Sequence, residues 1–267
     1  MTPVLRRFLT AAVLLAVFVP AIFWAPERLW NTLVALVVGL AAFEWARLSA
    51  FPPAAARLYA LVLGIVTLLA PAWLSGDWPA VQMVLFALAA VFWLGLAPFW
   101  LMGHWAGRQP AWRAAVGVVL LLPTAAALLY LHARGPLLLL GILGIVWVAD
   151  SAAYFFGRRF GRHKLAPVIS PGKTWEGLAG ALVALGIYAA VLSHFAGLPL
   201  GSLFLVLAGL LYLSVLGDLF ESWIKRLAHA KDSGSLLPGH GGVLDRVDAM
   251  TSSLPIAAGM LMWLEIA

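Results

Sequence analysis

The chain has 267 residues, of which 64% are hydrophobic and only 10% charged, and its mean hydropathy is +0.99. A water-soluble domain of this length carries about a quarter charged residues, so this chain cannot cover a surface in water and lipid is its main solvent. The absence of cysteine excludes disulfides and thiolate metal sites. The net charge of +6 sits in short loops between apolar runs, a pattern of membrane topology, so nucleic acid is not an expected partner.

A membrane-crossing helix needs roughly 20 mostly apolar residues. Nine stretches qualify, at about 7–25, 29–48, 57–75, 79–101, 113–133, 136–156, 175–196, 201–221 and 249–266. The fold expected is all-α, a polytopic integral membrane protein of about nine transmembrane helices forming a single membrane domain over 1–267. The first stretch follows a basic start, as a secretory leader does. Its apolar run continues to about Ala25 without a small-x-small cleavage site, so it is read as a retained first helix. The breaks carry turn residues: Pro26-Glu27-Arg28, Pro52-Pro53, Ser75-Gly76-Asp77, Arg134-Gly135-Pro136 and Gly197-Leu198-Pro199. No internal repeat supports an inverted-repeat transporter.

Nine spans place the N-terminus and the even-numbered connections on one side. That side holds Arg6, Arg7, Arg47, Arg57, Arg108, Arg113, Arg158, Arg159, Arg162, Lys164, Lys173, Lys225, Arg226, Lys231 and Arg246, while the other holds only Arg28 and Arg134. Basic residues mark the cytoplasmic side. The N-terminus is therefore expected in the cytoplasm and the C-terminus outside, with the protein in the inner (plasma) membrane.

Two connections on the basic side stand out, 157–174 and 222–248. Together they hold nine of the 17 Lys/Arg and three of the 11 acidic residues. P-G-K-T at 171–174 looks like the end of a P-loop, but Pro167 stands where that motif needs glycine and no strand is expected before it. S-P-G-K-T-W-E-G is read instead as a helix start, with Lys173 or Thr174 near the cap and Glu176 in the first turn.

Ionisable groups within spans are costly and usually functional. Asp150 and Glu44 fall inside spans; for Glu44 a structural hydrogen bond and a functional role are both open. Asp218 and Glu221 lie three residues apart near the end of the eighth span, and Asp245 and Asp248 have the same spacing at the start of the ninth, so each pair shares a helical face. Three carboxylates (Asp218, Asp245 and Asp248) converging at the ends of sequential helices repel one another unless a cation sits among them. Hard oxygen donors of this kind suit Mg²⁺. Asp248 lies one turn deeper, which suits a second cation. Around them stand Lys164, Lys173, Lys225, Arg226, Lys231 and Arg246, with Gly239, Gly241 and Gly242 able to bring backbone N–H groups close to phosphate and His240 able to bond it. Arg246 points about 100° round the helix from Asp245 and is suited to pair with another helix. Asp150 and Tyr154 are placed to line a polar cavity.

The stretch S-W-I-K-R-L-A-H-A-K-D-S-G-S-L-L-P-G-H-G-G-V-L-D-R-V-D, 222–248, resembles the signature of the phosphatidate cytidylyltransferases, the CDP-diacylglycerol synthases. The matching positions are Ser222, Lys225, Arg226, Lys231, Asp232, Pro238, His240, Gly241, Gly242, Asp245, Arg246 and Asp248, without a departure. The segments 150–177 and L-G-D-L-F-E-S at 216–222 resemble the family too, whereas the first ~130 residues match only as apolar spans. The resemblance implies a Mg²⁺-dependent enzyme that joins CTP to phosphatidic acid, giving CDP-diacylglycerol and pyrophosphate. It implies that Asp218, Asp245 and Asp248 hold the metal, and that Lys164, Lys173, Lys225, Arg226, Lys231 and Arg246, with Ser222, share the phosphates. It also implies a homodimer in which 1–133 supply scaffold, lipid access and dimer contacts and 134–267 the chemistry. Another lipid phosphate, such as that of an ether lipid, stays open. The D-G-x-x-A-R pattern of the CDP-alcohol phosphatidyltransferases is absent.

Overall fold

The computed structural model describes residues 3–71, 79–103 and 110–266; side chains of 3–8, 79, 110 and 266 are not described. The Ser75-Gly76-Asp77 break and Arg108 lie outside the described residues, as do the side chains of Arg6 and Arg7. The helices fall on the predicted stretches. They are α1 (Pro3–Trp24), α2 (Glu27–Leu48), α3 (Pro53–Leu68), α4, α5 (Pro110–Arg134), α6 (Pro136–Phe160), α7 (Trp175–Ala196), α8 (Leu200–Leu227) and α9 (Leu244–Ile266). α4 is one rod in three parts: Pro79–Ala90, a π-helical stretch Val91–Leu96, and Ala97–Gly103. Among the described residues seven helices are long and apolar enough to cross a membrane; Leu9–Trp24 and Pro53–Leu68 are shorter apolar helices.

The turn residues end the helices as their chemistry requires. Gly135 takes φ 131° and Pro136 opens α6 at its first position. Gly197 closes α7 in the left-handed conformation, with its N–H on Ser193 O. Two boundaries differ from expectation in a way that matters for the site. α8 runs six residues past 221, and α9 begins five residues before 249. Trp223 and Ile224 keep one face of α8 buried beyond the end of its apolar run, and Lys225 and Arg226 complement the negative end of the helix dipole.

The 157–174 connection is only partly loop. α6 takes its first residues, and a two-stranded antiparallel hairpin follows, β1 (Lys164–Ala166) paired with β2 (Ser170–Thr174). The expectation of no strand before P-G-K-T is thereby corrected. Pro167 lies in the short connection between the two strands, where its missing N–H costs no ladder hydrogen bond. Thr174 caps α7 by accepting from Gly177 N at 3.1 Å. Glu176 does not complete a capping box. It accepts from His163 N and contacts His163 Nδ1 at 2.6 Å, which ties the hairpin's base to α7.

α2 packs on α3 and α5, α6 on α7, and α9 on α8, α5 and α4. Behind the site an aromatic cluster joins α4 to α8: Phe92 lies edge-on to Phe220 at 5.3 Å, and Trp93 to Phe220 at 5.5 Å. Trp93 Nε1 donates to Thr251 O of α9 at 2.9 Å, so the indole's polar atom is satisfied in the core. Where α2, α3 and α5 meet, Trp45 Nε1 donates to Arg113 O and Tyr59 Oη to Ala114 O, each at 2.7 Å. Both rings lie against Gly117, where a Cβ would strike the Trp45 indole and come within 2.6 Å of Tyr59 Oη. Gly117→Val is expected to cost about 1–3 kcal/mol through overpacking, read as a lower thermal-unfolding midpoint in detergent. Gly209→Ala, which meets open space, is expected not to lower it.

Candidate active site

The end of α8, the start of α9, the 228–243 loop and the hairpin come together at one end of the bundle, with α2 beneath them. At the centre Lys225 is buried and bridges two acids: its Nζ lies 2.6 Å from Asp245 Oδ1 and 3.1 Å from Glu221 Oε1. The other Asp245 oxygen, Oδ2, accepts from Ser233 N at 2.9 Å, Ser233 Oγ at 3.0 Å and Gly242 N at 2.8 Å. Beside it Glu44 accepts from Leu244 N at 2.8 Å, Val243 N at 3.1 Å and Ser233 Oγ at 2.8 Å. The Ser233 proton serves one carboxylate at a time. The loop is shaped for this. Gly239 and Gly241 both take φ 79°, and Leu237 N donates to Gly241 O across a single bridge. A Cβ on Gly242 would strike Ser233 Oγ and the Glu44 carboxylate.

A second, more open group of charges flanks this centre. Lys173 Nζ, carried in by β2, pairs with Asp218 Oδ2 at 2.7 Å, both side chains part-exposed. Ser222 Oγ donates to Asp218 Oδ1 at 3.3 Å from one turn on. Asp150 is exposed on α6, within electrostatic reach of Asp218, Lys173 and Arg246. Asp248 is within reach of Asp218, Lys225 and Asp150. Acids and bases from α6, β2, α8 and α9 thus alternate over an accessible surface, next to a loop with two positive-φ glycines. Such a surface suits a polyanion that brings its own cation.

A family model described as the cytidylyltransferase family matches residues 5–264. The chain belongs to the cytidylyltransferase family. It is 38% identical over 265 residues to the phosphatidate cytidylyltransferase of Pseudomonas aeruginosa, covering 96% of each chain. To that of Brucella suis it is 39% identical over 243 residues, 87% of this chain and 83% of the relative. To that of Haemophilus influenzae it is 48% identical over 129 residues, 46% of this chain and 44% of the relative. The match extends over the N-terminal helices, which sequence reading related to the family only as apolar spans.

Within this cytidylyltransferase the signature residues divide by burial. Lys225 and Asp245, expected to face phosphate and metal, are buried and engaged with each other. Lys164, Arg226, Lys231 and Arg246 are exposed. Arg226 also donates from Nε to Ile169 O at 3.2 Å and so braces the hairpin against α8. Tyr154 is exposed and accepts from Arg158 Nη1 at 3.0 Å. His240 shapes the loop through its N–H, 2.9 Å from Leu237 O. Among the described residues no three acids or histidines gather tightly enough to enclose one ion. Asp218, Asp245 and Asp248 therefore do not form a closed cage: Asp245 turns to Lys225 and the loop, while Asp218 turns to Lys173. Glu44, Ser233 and Glu221 were not among the expected site residues. Glu44 had the signal of a lone acid in an apolar span; Ser233 had none, since it falls inside the 222–248 stretch but is not one of the matching positions. Lys225→Met would leave Asp245 and Glu221 buried without their counter-charge, at an expected cost of about 3–5 kcal/mol in detergent unfolding. Adding Glu221→Gln is expected to recover part of that loss.

Proposed function

We propose that the chain transfers a cytidylyl group from CTP to phosphatidic acid, giving CDP-diacylglycerol and pyrophosphate, as a step of phospholipid biosynthesis at the cytoplasmic face of the inner membrane. The observation that carries this reading is the accessible Lys173–Asp218 pair beside Asp150, Asp248 and Arg246, in a chain whose relatives bear that enzyme's name. An oxygen of the phosphatidate phosphate attacks the α-phosphorus of CTP. The bond from that phosphorus to the oxygen bridging to the β-phosphate breaks, and pyrophosphate leaves with the bonding electrons. Phosphatidate is already an anion, so no side chain need remove a proton. The protein's part is to hold two polyanions in line and to offset the charge that develops. Lys173 pairs with Asp218 and Arg246 acts on Asp150, and Lys164, Arg226 and Lys231 add positive potential at the rim. Ser222 keeps Asp218 in place.

The donor set fits Mg²⁺, which binds through one or two carboxylates, waters and substrate phosphates rather than a closed protein cage. Asp218 and Asp248 would hold it, with Asp245 as their buried support, and Asp248 leaves room for a second cation. When bound, the metal neutralises phosphate charge. The described helices α1 to α9 each cross the bilayer, with the N-terminus in the cytoplasm and the C-terminus outside, and residues 1–133 carry the contacts of a homodimer.

Purified protein in detergent, given CTP, phosphatidate and Mg²⁺, is expected to release pyrophosphate and CDP-lipid in equal amounts. Asp218→Asn should lower turnover by roughly 10²-fold or more with little change in unfolding midpoint. No product from any lipid phosphate would overturn the reading. The natural lack of cysteine allows a topology test. A single cysteine at Ser235 should react with an impermeant thiol reagent only from the cytoplasmic side, and one at Leu198 only from outside.

A further inference from the structure

Glu44 is one of three acidic residues in 1–133, and it is buried, 3% exposed, beneath the site. Its partners are all about 190–200 residues away in sequence: Ser233 Oγ, Val243 N and Leu244 N. The two backbone donors are orphan N–H groups at the start of α9, which no intrahelical carbonyl can satisfy. A buried carboxylate there satisfies them and complements the positive end of the helix. Ser233 joins Glu44 to Asp245, since its hydroxyl lies within 2.8 Å of one and 3.0 Å of the other. Asp245 in turn holds Lys225, and Asp248 follows one turn along the same helix. The glycines at 234 and 242 are the places where a Cβ would run into the Glu44 carboxylate, so the loop is moulded around this side chain. Aspartate at 44, one methylene shorter, could not reach all three donors from the same backbone position.

We propose that Glu44 is a positioning residue for the transfer reaction, acting from α2 through Ser233 and the first turn of α9 to set where Asp245 and Asp248 stand. The N-terminal helices are then part of the machinery and not only its support. The proposal rests on the cytidylyl-transfer reading for its kinetic consequence, but its structural core is separately measurable.

Two measurements test it on the full-length purified protein. The first is amide hydrogen exchange. In Glu44→Gln, which keeps the size but loses the charge and places an N–H₂ among donors, exchange across 233–247 should rise at least tenfold while α6 and α7 keep their wild-type rates. An unchanged loop, or an equal rise over the whole chain, overturns the proposal. The second is a kinetic double-mutant cycle in the CTP–phosphatidate assay. Glu44→Gln and Ser233→Ala should each lower kcat about tenfold or more with a smaller change in the CTP KM, and the double variant should lose little beyond the worse single change. Losses that multiply, or a kcat equal to wild type in Glu44→Gln, overturn it. If the wild-type chain makes no CDP-lipid, the functional reading falls, and the exchange measurement alone still decides the role of Glu44.

Discussion

The buried ammonium of Lys225, held between Asp245 and Glu221, is the interaction on which the rest of the site depends. A lone charge in this setting would cost several kcal/mol, so the buried ammonium is tolerable only with its acid partners beside it. Both Glu221 oxygens are buried without a hydrogen bond among the described residues, so Lys225 is their compensation. The pairing dictates how the last turns of α8 meet the first turn of α9. Any sliding of one helix past the other would strand a charge, which leaves this end of the bundle few alternative packings.

From that pair the order spreads outward through backbone donors. Asp245 gathers the amides of Ser233 and Gly242, and Glu44 gathers those of Val243 and Leu244. Two carboxylates thus shape the 228–243 loop, which has little regular structure of its own. Apolar packing stiffens the base: Phe220, one residue before Glu221, is fully buried in the aromatic cluster that links α4 to α8. The loop is in this way held by its carboxylates, and the end of α8 from which it leaves is backed by aromatic rings.

Burial sorts the charged residues into two sets. Lys225, Glu221 and Asp245 engage one another, Glu44 is joined to Asp245 through Ser233, and together they build the frame. Lys173, Asp218, Asp150 and Arg246 remain accessible, and their charges are available to a ligand. The division accounts for a site rich in both acids and bases that nonetheless gathers no closed metal cage among the described residues. An accessible Lys–Asp pair of this kind can part when another anion approaches the lysine.

How much could be read from the chain alone follows from the range of each force. Hydropathy acts over a single helix, so the apolar stretches and the Pro/Gly breaks at 135–136 and 197–199 showed where helices lie, and the 222–248 signature pointed to the phosphate chemistry and the family. Local apolarity could not reveal that α8 continues through Lys225 and Arg226, because those turns are held by the burial of Trp223 and Ile224 against other helices. Nor could it reveal the hairpin, whose strands pair with each other and are braced by Arg226 and Lys173 against α8, contacts that local apolarity does not encode. The roles of the acids were least visible. Asp218, Asp245 and Asp248 look alike in sequence, and Glu44 is a lone acid in an apolar helix. Only the tertiary structure, by bringing Glu44 and Ser233 together across 189 positions and turning Asp245 toward Lys225, decided which carboxylates brace the site and which face outward. The reason is that a carboxylate's role is set by the donors it meets in space, and those donors come from the far end of the chain.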